Sequence, residues 1–538
     1  MQTGKLLRPG KPVYALLLSV VITMLYGQFL WNPIVFDDLY FFMVNDAGDQ
    51  PVDGYRYVPF ELRSLPYATL AWGKSAFGLG MLHFRIENML LHVAVSISLF
   101  FFLAQLFDSV RGKTGQFSLQ PNALAFCATL LFALHPVAVY AAGYLVQRSI
   151  LMATLFSLLA MLAYLHGSSR QKPLWLWASA VFYYLAVFSK EHAIMLPAAL
   201  LALTVLLHDD WMAKLRQRWS LFAVYAAIAL FVIAASKGIL GSAYEIYAPE
   251  MLGSTETSLN YPLSVLTQSW LFFKYAGLWL FPNPAWMSVD MREPFAPALL
   301  SSYTLAFAAF LLWGGGAAWL LIRRGQAGLL GFAMIFPWLM FMTELSTIRI
   351  QESFVLYRSY LWVVGASTIF PLLFGLLHKR MAPLVVAAMA LAMFPISMDR
   401  LASFSHPLLL WDDAEKLVVE KRHLPGTYRI YYNRGIELVK AADYDRAIQD
   451  LKLAAALHPN WPFSYNNLGV AYSKKGEWRF AADAFTQSME IANRKKMAIN
   501  PKSYYGRAVA YESMGEIVKA REDYQVSCRL IKKGCEKL

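Results

Sequence analysis

Residues 82–107 read LHFRIENMLLHVAVSISLFFFLAQLF, with the polar side chains crowded at one end and an uncharged apolar tract filling the rest. A run of about 20 apolar residues is what a helix needs to cross the hydrocarbon core, where each backbone group must find its partner within the helix. Comparable runs lie near 12–31, 121–134, 149–166, 174–188, 193–207, 219–236, 299–322, 327–345, 356–377 and 381–397. Eleven runs predict an all-α, polytopic membrane bundle over residues 1–400. The first run has too long an apolar core, and no small-residue cleavage site after it, to be a signal peptide; it reads as an anchor.

Composition agrees. Of 538 residues, 58% are hydrophobic and 15% charged, against about 25% charged in an ordinary soluble chain, which excludes a disordered protein, a cytosolic enzyme and a small disulfide scaffold. The charges are uneven. Residues 1–400 carry 26 Lys/Arg and 19 Asp/Glu, whereas 401–538 carry 22 and 16, more than twice the density. A soluble domain therefore follows the bundle, with 401–426 as linker and 427–538 as the domain itself. The net charge of +13 is read as membrane topology and not as nucleic-acid binding.

Cation clusters orient the bundle: Lys5, Arg8 and Lys11; Arg111 and Lys113; Arg170 and Lys172; Lys214, Arg216 and Arg218; Arg323 and Arg324; Lys379 and Arg380. All fall on the cytoplasmic side if the run at 261–281, with Gln268 and Lys274, is re-entrant or interfacial. This gives 11 spans, N-terminus inside and C-terminal domain outside. A twelve-span alternative places Arg323 and Arg324 on the wrong face.

The tail aligns with itself at period 34. Gly435, Ala447, Leu451, Ala454 and Pro459 recur as Gly469, Ala481, Phe485, Ser488 and Asn493, then after a five-residue insertion as Ala508, Ala520, Tyr524, Ser527 and Lys532. Tyr431, Tyr465 and Tyr504 keep step. Small residues where paired helices touch, with large ones opposite, are the tetratricopeptide pattern, and about three units predict an α-solenoid with a concave, protein-binding surface. A stabilising cap or self-association module is the alternative. Cys528 and Cys535 could pair in an oxidising compartment, while Cys127 reads as packing.

The outward loops hold the charges that topology does not explain. Asp37 and Asp38 follow the first span, as a candidate base for a hydroxyl or as a helix cap. Tyr55-Arg56-Tyr57 comes next. His83, Glu87 and Asn88 share the outer end of the second span; His-x3-Glu resembles half a metal site, but nothing completes it, so no metal is expected. His135-Pro136, Gln147-Arg148, Lys190-Glu191 and the stretch from Arg349 through Glu352 to Arg358 complete the set. Arg56, Arg148, Lys190, Arg349 and Arg358 converging on one face would suit a phosphate at the lipid interface. The structural alternative pairs Lys190 with Glu191, Arg349 with Glu352 and Arg85 with Glu87.

In order along the chain, Val35-Phe36-Asp37-Asp38, Tyr55-Arg56 with Pro59, Phe84 to His92 and Phe132 to Pro136 with Arg148 resemble the GT-C glycosyltransferases. Phe188 to Glu191, Leu280-Phe281-Pro282 with Ser288-Val289-Asp290, Glu352 to Leu361 and the repeats continue the likeness. It is closest to the transmembrane-and-tetratricopeptide O-mannosyltransferases. The tail is shorter than in members with many repeats, and Tyr357-Arg358-Ser-Tyr360 departs from a more apolar run in such relatives. The resemblance implies transfer of a sugar from a polyprenyl-phosphate donor to a hydroxyl of an exported protein, with type IV pilin a candidate. Asp37 would be the base, with Asp38 positioning it. Arg56, Arg148, Lys190 and Arg358 would hold the donor phosphate, supported by His83, Glu87, His135, Glu191, Arg349 and Glu352, with no cofactor. The absence of any Asn-x-Ser/Thr sequon and the compact loops lean toward a bacterial inner-membrane protein with a periplasmic tail. Two rivals remain: a lipid-linked oligosaccharide ligase or polymerase, and a non-enzymatic membrane-anchored assembly factor. Unpartnered outward charges would favour an enzyme, and paired ones a scaffold.

Overall fold

The computed structural model describes residues 10–43, 50–114, 117, 119–240, 257–350 and 352–538. Lys5, Arg8 and the side chain of Lys113, three of the topology-marking cations, lie outside the described residues. Among the described residues the chain is helical throughout and has no β-strand. It divides into two units, Met1–Met287 with Phe295–His406, and Ser288–Pro294 with Pro407–Leu538.

Among the described residues of the first unit, seven helices are long and apolar enough to cross a bilayer: Lys11–Phe29, Met81–Gly112, Leu145–Arg170, Trp219–Ser236, Ser302–Arg323, Gly325–Leu345 and Met381–Ser403. An eighth crossing results if Pro121–Ala133 and Pro136–Ala142 form one span bent by 69°. The bend has a local cause. Pro136 supplies no N–H and holds the preceding His135 in extended geometry, which stops one helix and starts the next.

Not every apolar run becomes a long helix. The runs at 174–188 and 193–207 form Pro173–Ser189 and Glu191–Leu207, each at most 17 residues, or about 26 Å at 1.5 Å per residue, short of the roughly 30 Å core. Lys190 sits in the break between them. The run at 356–377 is a succession of short pieces, with Ser359–Ala366 and Phe370–Gly375 separated by a tight turn. Asn260–Leu280 is a 21-residue helix whose polar side chains keep it out of the crossing set. Length and apolarity thus mark seven or eight crossings where the sequence has eleven apolar runs.

The second unit contains three consecutive helical hairpins: Tyr428–Lys440 with Tyr444–Leu457, Pro462–Lys475 with Trp478–Arg494, and Pro501–Ser513 with Ile517–Ile531. The large and small residues that align in sequence meet in space. A Cβ added at Gly435 would lie 2.7 Å from Leu451, and one at Gly469 would lie 2.8 Å from Phe485. Ala508 packs with Tyr524 in the third hairpin. Arg434 donates both arms to Asp450, at 2.7 and 2.9 Å. Arg507 does the same to Asp523, at 2.7 and 2.8 Å. The middle hairpin has Leu468 and Ala484 at the corresponding places. Cys528 and Cys535 are disulfide-bonded, with Cα atoms 4.9 Å apart.

Residues 401–426, expected as a linker, contain helical segments. Met381–Ser403 extends into them, and Pro407–Lys416 buries Leu410, Trp411 and Ala414. The close approach at Gly469 makes Gly469→Ala an overpacking change, expected to cost about 1–3 kcal/mol. Thermal melting of the full chain checks this, and an unchanged transition would refute the packing.

Candidate functional site

After the first crossing helix the chain turns through Phe36, which has a left-handed φ of 51°, into the short helix Asp38–Phe42. This turn is fastened from below. Asp38 is fully buried; its carboxylate accepts from the Val146 N–H at 2.9 Å and lies 3.5 Å from the Val35 nitrogen. Burial raises its pKa to about 7, against the opposing pull of Arg85 and the backbone donors. The Asp37 N–H donates to the Tyr144 hydroxyl at 2.9 Å, and that hydroxyl also bonds the Asp37 carboxylate. Asp37 occupies the cap position without capping any helix N–H. The adjacent acids therefore separate: Asp38 braces the turn and Asp37 faces outward.

Outward means into a cleft of about 350 Å³ whose lining includes Asp37, Arg63, Lys190, Glu191, Glu352 and Arg358, with Tyr40, Tyr67 and Tyr357 among the aromatic walls. Four separate segments supply these side chains. Lys190 donates to the Gln147 side-chain amide oxygen Oε1 at 2.8 Å and to the Ser149 hydroxyl at 3.4 Å, and lies 4.5 Å from the centre of the Tyr357 ring. Burial lowers its pKa to about 7, and the positive charges of Arg63 and Arg358 add to the effect. Arg358 donates to Glu344 and Glu352, both at 2.9 Å, and to the Glu352 carbonyl at 3.0 Å. Arg63 pairs with Glu191.

The expected phosphate set does not converge. Of its four members, Lys190 and Arg358 line the cleft. Arg148 instead turns to Asn88 at 2.9 Å, Thr69 at 3.2 Å and Glu87 at 2.7 Å. It lines a separate apolar groove of about 520 Å³ with Trp72, Phe77, Leu90 and Met152. Arg56 is exposed and outside the cleft lining. Arg349 is buried against Glu344 at 3.6 Å. His83 packs on Phe84 with ring centres 3.9 Å apart. His135 caps Pro136–Ala142 through Nδ1, sits 3.1 Å from the Trp279 carbonyl and stacks on the Trp279 ring. His83 is half-buried and His135 buried, and neither lines the cleft.

The expected ion pairs are also redrawn. Glu191 takes Arg63 instead of Lys190, Glu352 takes Arg358 instead of Arg349, and Glu87 takes Arg148 instead of Arg85. Arg85 donates to the carbonyls of Asn32 at 3.2 Å, Gly143 at 2.5 Å and Pro33. Helix packing brings residues far apart in sequence closer than neighbours on one loop. Sequence reasoning missed Arg63, Tyr144, and above all Glu344, which is fully buried between Arg358, Arg349 and His192. Glu344 was the one charge in an apolar run, and that signal could have found it. Among the described residues no three His, Cys, Asp or Glu side chains form a metal-binding group.

The arrangement gathers the Asp37 carboxylate and two buried cations, Lys190 and Arg358, in the lining of one small cavity, with Arg63, Glu191 and Glu352 beside them. That geometry can hold an anion and present a proton acceptor beside it. No known protein family and no curated protein matches this chain.

Proposed function

We propose that this chain is a GT-C-type glycosyltransferase that moves a sugar from a polyprenyl-phosphate donor to a hydroxyl of an exported protein. The reading includes the eleven-span topology, a tetratricopeptide solenoid for the three hairpins, and a periplasmic tail in a bacterial inner membrane. In that topology the shorter helices of 174–188, 193–207 and 356–377 cross shielded by the bundle, in addition to the seven or eight long crossings. Type IV pilin is the first acceptor to test. The observation that carries the proposal is the cleft, whose lining brings Asp37 together with Lys190 and Arg358.

In this mechanism the acceptor hydroxyl gives its proton to Asp37 while its oxygen bonds to the sugar's anomeric carbon. The bond from that carbon to the lipid phosphate breaks, and its electron pair leaves on the phosphate. Lys190 and Arg358 stabilise the departing charge. Lys190 carries a proton below pH 7 and sheds it as pH rises through about 7. The apparent KM for donor should therefore rise between pH 6 and 8.5. Lys190→Arg, always charged, should flatten that rise; an equally steep profile in Lys190→Arg would exclude Lys190 as its source.

One observation favours the rival scaffold. Arg63, Arg148, Arg349 and Arg358 all have carboxylate partners, as structural pairing requires. Intact masses of exported proteins, from cells with and without this gene, separate the readings. A single-sugar mass difference supports the proposal, a whole-oligosaccharide difference supports the ligase, and no difference supports the assembly factor. Purified enzyme lacking 427–538 should lose activity on the full-length acceptor and keep it on a short acceptor peptide. Equal loss on both would refute docking by the tail.

A further inference from the structure

Another cavity, of about 330 Å³ and mixed polar and apolar lining, lies toward the far end of a helix that helps form the cleft. Ser149 on Arg148–Arg170 lines the cleft and Gly167 lines this cavity, about 27 Å along the helix at 1.5 Å per residue. The helix ends at Gln171, which has a left-handed φ of 52°, and Lys172 leads into Pro173–Ser189. Trp211–Gln217 and the start of Trp219–Leu240 close the other side.

Positive side chains dominate here. The segments 170–172 and 209–218 carry Arg170, Lys172, Lys214, Arg216 and Arg218 against only Asp209 and Asp210; Lys214 and Arg218 line the cavity, and Asp209 is paired with Arg324 at 2.9 Å. Lys214 lies 3.9 Å from Asp210. Arg218 is 9% exposed and donates to the Tyr164 hydroxyl at 3.1 Å, with its guanidinium 5.4 Å from the centre of that ring. Among the described residues no carboxylate lies within ion-pair distance of it. Topology alone asks for cations in the headgroup region and not for a buried one. A buried guanidinium without a counter-charge is costly unless an anion completes it. Ser220 adds a hydroxyl at the N-terminal end of a long helix, where backbone N–H groups also favour an anion.

The walls indicate what kind of anion. Leu176 and Trp177 line the cavity, and the flanking Leu174, Met212 and Trp219 are exposed. A cationic pocket bordered by exposed apolar and aromatic side chains matches a phosphate that carries hydrocarbon. We infer that this cavity binds the phosphate of an anionic phospholipid headgroup through Arg218, Lys214 and Ser220, independently of the chemistry in the cleft.

The test is native mass spectrometry of the full chain released from nanodiscs of mixed phosphatidylglycerol and phosphatidylcholine. Phosphatidylglycerol should be retained preferentially, and Arg218→Gln and Lys214→Gln should each reduce its retention about fivefold. Excess inorganic phosphate should not displace it. Should Arg218→Gln fail to fold, the partly exposed Lys214 carries the comparison alone. Equal retention of phosphatidylcholine, or retention unchanged in the variants, overturns the site. Displacement by inorganic phosphate overturns the lipid and leaves a soluble anion as the ligand.

Discussion

Asp37→Asn is expected to lower sugar transfer by roughly 10²- to 10⁴-fold, the usual contribution of a positioned general base, while leaving protein yield and melting temperature near those of the parent. The amide has the carboxylate's shape and still offers an oxygen to the Tyr144 hydroxyl, so the turn should keep its place. What it lacks is a lone pair basic enough to take the acceptor's proton. Asp38→Asn should behave differently. Asp38 is fully buried and bound to the Val146 N–H, so its loss should appear first as lower stability. Transfer measured on matched amounts of purified protein decides. Near-full turnover in Asp37→Asn with a dead but folded Asp38→Asn would move the base by one residue. Activity in both would remove the mechanism.

The fold was more legible than the site. Apolar runs specify helices because lipid and core alike leave the backbone no other partner, and the aligned Gly469 and Phe485 foretold a contact that the hairpins make. What runs cannot give is where a helix breaks. Pro136 bends one, and the run at 356–377, continuous in composition, becomes a succession of short helices. At the site, acids and bases were identifiable as costly near a bilayer, yet their partners were not. Arg148 and Glu87 are 61 positions apart, and Arg63 and Glu191 are 128 apart. Adjacency on a loop proposed Glu191 for Lys190, but consecutive side chains at a tight turn diverge, and a guanidinium from another loop takes the place.

Glu344→Gln should be the most destabilising single change in the membrane unit, by about 3–5 kcal/mol, because it strands buried cations. Its carboxylate is fully buried, 2.9 Å from Arg358, 3.6 Å from Arg349 and 3.1 Å from His192. Glutamine preserves the volume but not the charge, so two guanidinium groups would share a low-dielectric site with less to neutralise them. Arg358 retains Glu352 at 2.9 Å, whereas Arg349 loses its pairing with Glu344. Relief should therefore come from Arg349: adding Arg349→Met to Glu344→Gln should recover part of the loss, since removing the guanidinium removes one of the buried charges left under-neutralised. Thermal unfolding of the four proteins in one detergent gives the cycle. Additive losses would show that Glu344 and Arg349 do not act as a pair. A Glu344→Gln protein within about 0.5 kcal/mol of the parent, the range of an ordinary surface change, would show that the Arg358 side of the cleft is held by Glu352 alone.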